Sequence, residues 1–347
     1  MTTTAERTGT GYELGFTTLD EEVRVDGLEL EGSLPEWLTG TLVRLTPAKL
    51  DVGGRRLRHW FDGLAMLNVF SFGDGHVAYA NRYLQTEEYK HASEHGQLRS
   101  GQFATDPCRS IFKRVAAMFS PATDNTNVNV TRLGDRFIAM TETPMPIEFD
   151  PDTLETLGGL KFADGLKGHV TTAHPHHDRE RDELVSYVTH FGRKSSYRVY
   201  ALPAGSTTRR KIASLSVDEP AYMHSFAMSE TYVVLVEFPL VVDPLKLALS
   251  GKPFIENYEW KPELGTRFTV FDRHSGELRG RYEADAFFAF HHVNAWEEGA
   301  ELVIDLCAYD DPEIVHALRL ESVVDPDVTL PAPESAQSTT SPEITST

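Results

Sequence analysis

Apolar residues in this chain fall into short runs instead of long stripes. Seven runs, 77–84, 136–141, 183–190, 197–202, 231–238, 267–271 and 301–307, are β-rich and bounded by Gly, Pro, Asp or Asn, as strands closed by turns are. Phe149-Asp150-Pro151-Asp152-Thr153 and Phe271-Asp272-Arg273-His274-Ser275-Gly276 read as strand, tight turn, strand, because Asp and Gly supply the turn conformations. Repeated units of this kind with few helices predict an all-β fold, a sandwich or a propeller, and a length of 347 residues favours the propeller. No WD or kelch signature marks the repeats, so periodicity gives no blade count.

Two stretches break the pattern. In 109–120, Ile111, Val115, Met118 and Phe119 form an apolar stripe beside Arg109, Lys113 and Arg114, the pattern of a basic amphipathic helix. The stretch from Leu240 to Leu249 is short and apolar, turning near Pro244. Packing on the protein's own sheet accounts for either, and the two segments are also candidate membrane-surface contacts. The character changes again after about residue 325. Residues 331–347 hold four Ser, four Thr and three Pro, with Ile344 the one large apolar side chain, which predicts a disordered tail over 326–347.

Composition narrows the class. Asp and Glu number 52 against 33 Lys and Arg, a formal charge of −19, which excludes nucleic acid as the main partner because phosphates would be repelled. Arg outnumbers Lys 23 to 10, a balance that fits a halophilic protein as well as an ordinary acidic one. Cys108 and Cys307 give no disulfide framework. The polar start, residues 1–11, lacks the apolar centre of a secretory signal, and no run reaches the length of a membrane span. The expectation is a cytoplasmic enzyme with at most peripheral membrane contact.

Fourteen histidines carry the candidate chemistry. Three have a shared context, each standing just before a β-rich run: His174 in Thr-Ala-His-Pro-His, His224 in Tyr-Met-His-Ser-Phe-Ala, and His291 in Phe-His-His-Val-Asn-Ala. Their separations, 50 and 67 residues, are too long for a zinc finger or a zincin helix. Ligands delivered by successive propeller blades to one axis would show such spacing. An imidazole cluster without Cys favours iron, copper, nickel or zinc over magnesium or calcium. Spacing alone leaves structural histidines as an equal alternative.

Together these motifs resemble the carotenoid cleavage oxygenases, non-heme iron dioxygenases that split a conjugated double bond. The likeness opens at Gly32-Ser33-Leu34-Pro35-Glu36-Trp37 and runs through His59-Trp60-Phe61-Asp62-Gly63, Phe149-Asp150-Pro151 and the three histidine motifs to Asp305-Leu306-Cys307-Ala308-Tyr309. It covers roughly 25–325, leaving 1–24 as an N-terminal extension. The resemblance implies a seven-bladed β-propeller with Fe(II) on its axis, held by histidines including His174, His224 and His291, and oxidative cleavage of a carotenoid or apocarotenoid to aldehyde or ketone fragments. His291 is preferred to His292 because the second position varies among relatives. Glutamates in the family accept hydrogen bonds from the ligands' other ring nitrogens, and Glu142 in Thr-Glu-Thr-Pro matches the first of them. His59 is structural in the family, and His176 and His177 are expected on a surface turn.

The chain also departs from the family. Ser225 stands where the family usually has Asp. The family's fourth histidine motif finds no match, since His316 is the last histidine. The propeller is therefore expected to be incomplete at its C-terminus, which would expose strand edges. A truncated or frameshifted relative is the first reading, an oxygenase with three ligands or a ring completed by a second chain the others. Alternative functions are a weakly active or inactive carotenoid-binding protein and a stilbene-cleaving oxygenase.

Overall fold

The computed structural model describes residues 11–106 and 123–340. The segment 109–119, read above as a basic amphipathic helix, lies outside the described residues. Strands dominate, as the hydrophobic pattern predicts, and among the described residues five antiparallel sheets of three or more strands follow one another along the chain, beside two two-stranded ones. The first has the spatial order Arg24–Val25, His76–Tyr83, Leu64–Gly73, Gly40–Lys49. The second is a meander of Asn129–Leu133, Arg136–Met140, Ile147–Phe149 and Thr156–Gly159. In the third, Val170–Thr171 and His176–Asp178 both pair with Glu183–His190, followed by Ser195–Pro203 and Arg210–Val217. The fourth contains Ala227–Met228, Tyr232–Glu237, Thr266–Asp272 and Leu278–Ala284, and the fifth Phe288–Glu298, Glu301–Tyr309 and Glu334–Thr340. The described sheets do not close into a ring.

Apolar clusters fill the gaps between successive sheets. Leu67, Val69, Ala139 and Phe149 join the first and second, and Leu133, Ile138, Leu184 and Leu202 the second and third. Tyr187, Val199, Phe226 and Leu235 join the third and fourth, and Val236, Phe268, Phe288 and Ile304 the fourth and fifth. Each such side chain, fully buried, contributes about 1.5–3 kcal/mol, so each sheet depends on its neighbours for its core. Leading strands also meet directly, Gly40–Lys49 against Asn129–Leu133 and Ala227–Met228 against Phe288–Glu298.

Part of the stretch read as a disordered tail is ordered here. Glu334–Thr340 runs antiparallel to Glu301–Tyr309, with Glu334 opposite Ala308 and Thr340 opposite Leu302. The strand Glu301–Tyr309 has a free edge on that side, and a backbone ladder asks little of side chains beyond the absence of proline. The segment meets that demand, since its prolines fall at 331, 333 and 342. The N-terminal extension also rests on the body, where the Tyr83 hydroxyl donates to Leu19 O at 2.6 Å and Thr18 Oγ1 to Asp51 at 2.9 Å.

The His59-Trp60-Phe61-Asp62-Gly63 motif is a buried structural hub. His59 Nδ1 accepts from the Phe61 N–H and Nε2 donates to Val315 O at 2.8 Å, and burial lowers its pKa to about 4. Asp62, with no exposed surface, accepts from His59 N, Ala104 N and Thr105 Oγ1. Gly63 is required by close approach, because a Cβ there would lie 2.6 Å from Leu50 and 2.7 Å from Pro47. Asn125 and Asn127 both donate to Gly63 O, and Asn125 Oδ1 accepts from Ala65 N. Asp62→Ala leaves three donors without their acceptor and is expected to cost about 3 kcal/mol, measurable as a lowered urea midpoint; an unchanged midpoint would show that the hub adds nothing to stability.

Candidate metal centre

The ring nitrogens of His174, His224 and His291 can be chosen so that all lie within 4.8 Å of one another, a group able to hold a metal ion. Each histidine belongs to the leading strand of a different sheet or to the loop that enters it. His174 sits between Val170–Thr171 and His176–Asp178, His224 three residues before Ala227–Met228, and His291 within Phe288–Glu298. Two of the placements come from breaks in strand pairing. From Thr171 to His176 the leading strand advances five residues while its partner moves three, Val188 to Val185. From Ala289 to His292 it advances three against two, Ala308 to Leu306. Extra residues in one strand bend it and re-aim a side chain.

The same irregularity separates the two adjacent histidines. His291 opens onto a cavity, whereas His292 turns inward, where its Nδ1 donates to Ser225 Oγ at 2.8 Å and its own N–H donates to the same oxygen at 3.0 Å. The Ser225 hydroxyl in turn donates to Phe290 O at 2.7 Å. Ser225 thus fastens the His224 loop to the strand that carries His291. Thr172 does the same on the other side, with its hydroxyl donating to His224 O at 2.6 Å and accepting from the His174 N–H at 2.9 Å.

The protonation pattern suits metal ligation. Burial, and then the neighbouring imidazoles, lower His174 to about 3; burial and His224 lower His291 to about 4. Both are neutral near pH 7 and keep a lone pair for a cation. His224 Nδ1 donates to Glu142 Oε1 at 2.7 Å, and its Nε2 lies within hydrogen-bond distance, 2.9 Å, of Nε2 of His174. The Tyr222 hydroxyl donates to the same Glu142 oxygen at 2.9 Å. An imidazole set of this kind suits iron, copper, nickel or zinc.

A cavity of about 500 Å3 leads to these nitrogens, within the range of small-molecule sites. Trp60, Phe61, Phe103 and Phe254 give it aromatic walls. The Phe61 ring is near-parallel to His224 at 18° with centroids 6.2 Å apart, and Phe290 meets His224 edge-on at 5.3 Å. The structure thus brings together His174, His224, His291 and Glu142, all four residues singled out from sequence. His59 and His316 lie elsewhere, and among the described residues no fourth ligand joins the group. His176, expected on a surface turn, is instead partly buried and donates to Phe226 O at 2.9 Å, because it belongs to a strand pairing with Val185. Sequence reasoning missed Tyr222, Thr172 and the aromatic wall. Tyr222 and Thr172 each stand two residues before a candidate ligand, which was the available signal.

Comparison with known proteins shows the family of the chain. A family model described as retinal pigment epithelial membrane protein, RPE65, matches residues 16–345. The mitochondrial carotenoid-cleaving dioxygenase of Macaca fascicularis is 34% identical over 333 residues, covering 89% of this chain and 60% of that protein. The beta,beta-carotene 15,15'-dioxygenase of Gallus gallus is 31% identical over 325 residues, covering 85% and 61%. The chain belongs to the RPE65 and carotenoid oxygenase family. It spans about three fifths of the length of these curated relatives. A solved variant of the Synechocystis apocarotenoid oxygenase has the same fold, with a TM-score of 0.80 at 24% identity over 95% of this chain and 70% of that one.

Glu142→Ala removes the acceptor that sets the proton of His224 and is expected to weaken metal binding roughly 10–100-fold. Titration of the metal-free protein with Zn(II) against a chelator reads this directly. Glu142→Gln, which retains an acceptor oxygen, should lose less, and equal affinity in all three proteins would remove Glu142 from the centre.

Proposed function

We propose that His174, His224 and His291 hold Fe(II) and that the chain cleaves a conjugated double bond of a carotenoid or apocarotenoid with dioxygen, on a propeller of the seven-bladed carotenoid oxygenase type. The observation that carries this reading is the convergence of three imidazoles at an aromatic-walled cavity. The printed names of the relatives, a carotenoid-cleaving dioxygenase and a carotene dioxygenase, support the substrate class. Bound iron would supply the activation of dioxygen. The chain's own part is positional. Glu142 fixes the tautomer of His224, while Thr172 and Ser225 hold the loops in register. The aromatic walls bury a rigid polyene and keep water from the reacting bond.

The test loads anaerobically purified protein with Fe(II), measures iron per chain, and follows a carotenoid and an apocarotenal chromatographically under labelled dioxygen. One iron per chain and label in both carbonyl products are expected, with His224→Ala losing iron and products. Iron-loaded protein that leaves both polyenes intact would overturn the reading.

A polyene of this size reaches its enzyme from a membrane, and the helix Pro244–Ser250 presents Leu245 and Leu249 at 67% and 64% exposure. Among the described residues no helix is long and apolar enough to cross a bilayer, so this contact would be at the surface. The double variant Leu245→Asp, Leu249→Asp is expected to lose flotation with liposomes that the parent protein retains; equal flotation would remove this helix from the contact.

A further inference from the structure

Behind the histidine loops lies a second, smaller space. A recess of about 40 Å3 opens between the second and third sheets. Buried Ile138, Leu184 and Leu202 form its floor, and the half-buried Pro144, Pro146 and Phe162 rim it. Two features tie it to the metal centre. Thr172 and Pro175, on either side of His174, line it. Thr141 and Thr143, on either side of Glu142, line both the recess and the large cavity, so the 141–143 segment is a thin partition between them.

The recess is poorly suited to water. Its lining exposes mostly apolar surface, and three of its six hydroxyl-bearing residues, Thr143, Thr171 and Thr172, already donate to the carbonyls of Thr123, Tyr187 and His224. A water molecule needs two to four polar partners, whereas an apolar cavity of this kind stays dry and takes nonpolar guests. The large cavity has a different problem, because a long polyene lying along its aromatic walls would obstruct a second reactant arriving by the same path.

We propose that this recess is a holding site for dioxygen, a small nonpolar gas that it delivers to the histidine cluster past the 141–143 segment while the polyene occupies the large cavity. The inference rests on the oxygenase reading and adds to it a separate place for the second substrate.

Xenon, a nonpolar probe that needs neither metal nor turnover, tests the site first. Diffraction from xenon-pressurised crystals of the metal-free protein should show one atom between Ile138, Leu184 and Leu202, and none in Leu184→Phe or Ile138→Phe, either of which fills the floor. For whichever variant keeps the parent's thermal midpoint and iron content, KM for dioxygen should rise about fivefold or more with KM for the polyene unchanged. Ordered water in place of xenon in the parent protein would overturn the proposal, and so would an unchanged KM for dioxygen in a variant that has lost xenon. Xenon bound to a chain that cleaves no polyene retains the gas site and removes the oxygenase reading, so the two ideas fail separately.

Discussion

Three imidazoles, those of His174, His224 and His291, converge within 4.8 Å of one another. Protonating His174 or His291 would place a cation beside neighbouring imidazoles with part of its hydration removed, and burial accordingly pulls His174 to about 3 and His291 to about 4. Neutrality alone does not settle which nitrogen carries each proton. Glu142 does so for His224, and the Tyr222 hydroxyl on the same carboxylate oxygen keeps that oxygen from rotating away. The rest of the site is a set of devices for holding these rings where they are.

Those devices belong to the backbone. A regular strand sends alternate side chains to opposite faces, so a histidine in the middle of a perfect ladder would point into one inter-sheet core or the other. The extra residues around His174 and His291 break that alternation at the places where a ring must reach the centre. Irregular strands are weaker locally, and the protein answers with side-chain ties: Thr172 between the His174 and His224 loops, Ser225 between the His224 loop and the fifth sheet. The Asn125 and Asn127 amides do similar work for the 59–65 turn that carries Phe61 to the cavity wall.

How much of this is legible in the sequence follows from the same physics. The strand runs and turn dipeptides state the all-β class, because alternation and turn chemistry are local properties. His174, His224, His291 and Glu142 stand out because they sit in short motifs, Ala-His-Pro, Met-His-Ser, Phe-His-His and Thr-Glu-Thr. What stays hidden depends on pairing. A one-residue slip between Ala289 and His292 leaves no trace in composition, so the inward turn of His292 and its bond to Ser225 emerge only from the register. The same holds for Glu334–Thr340, where Ser, Thr and Gln suggest disorder, yet the free edge of Glu301–Tyr309 supplies the missing partner. His176 misleads for this reason too, since its neighbours read as a turn while its backbone pairs with Val185.

Ser225 makes its connections without charge. An aspartate at this place would bring a negative charge beside His292, a ring whose Nε2 is buried without a partner and whose pKa burial lowers to about 3. A serine hydroxyl makes the same connection without charge, donating to Phe290 O and accepting twice from His292. The neutral His292 and the neutral serine are therefore consistent with each other, and no charge is placed one residue from His291. Ser225 therefore ties the His224 loop to the strand of His291 by hydrogen bonds alone.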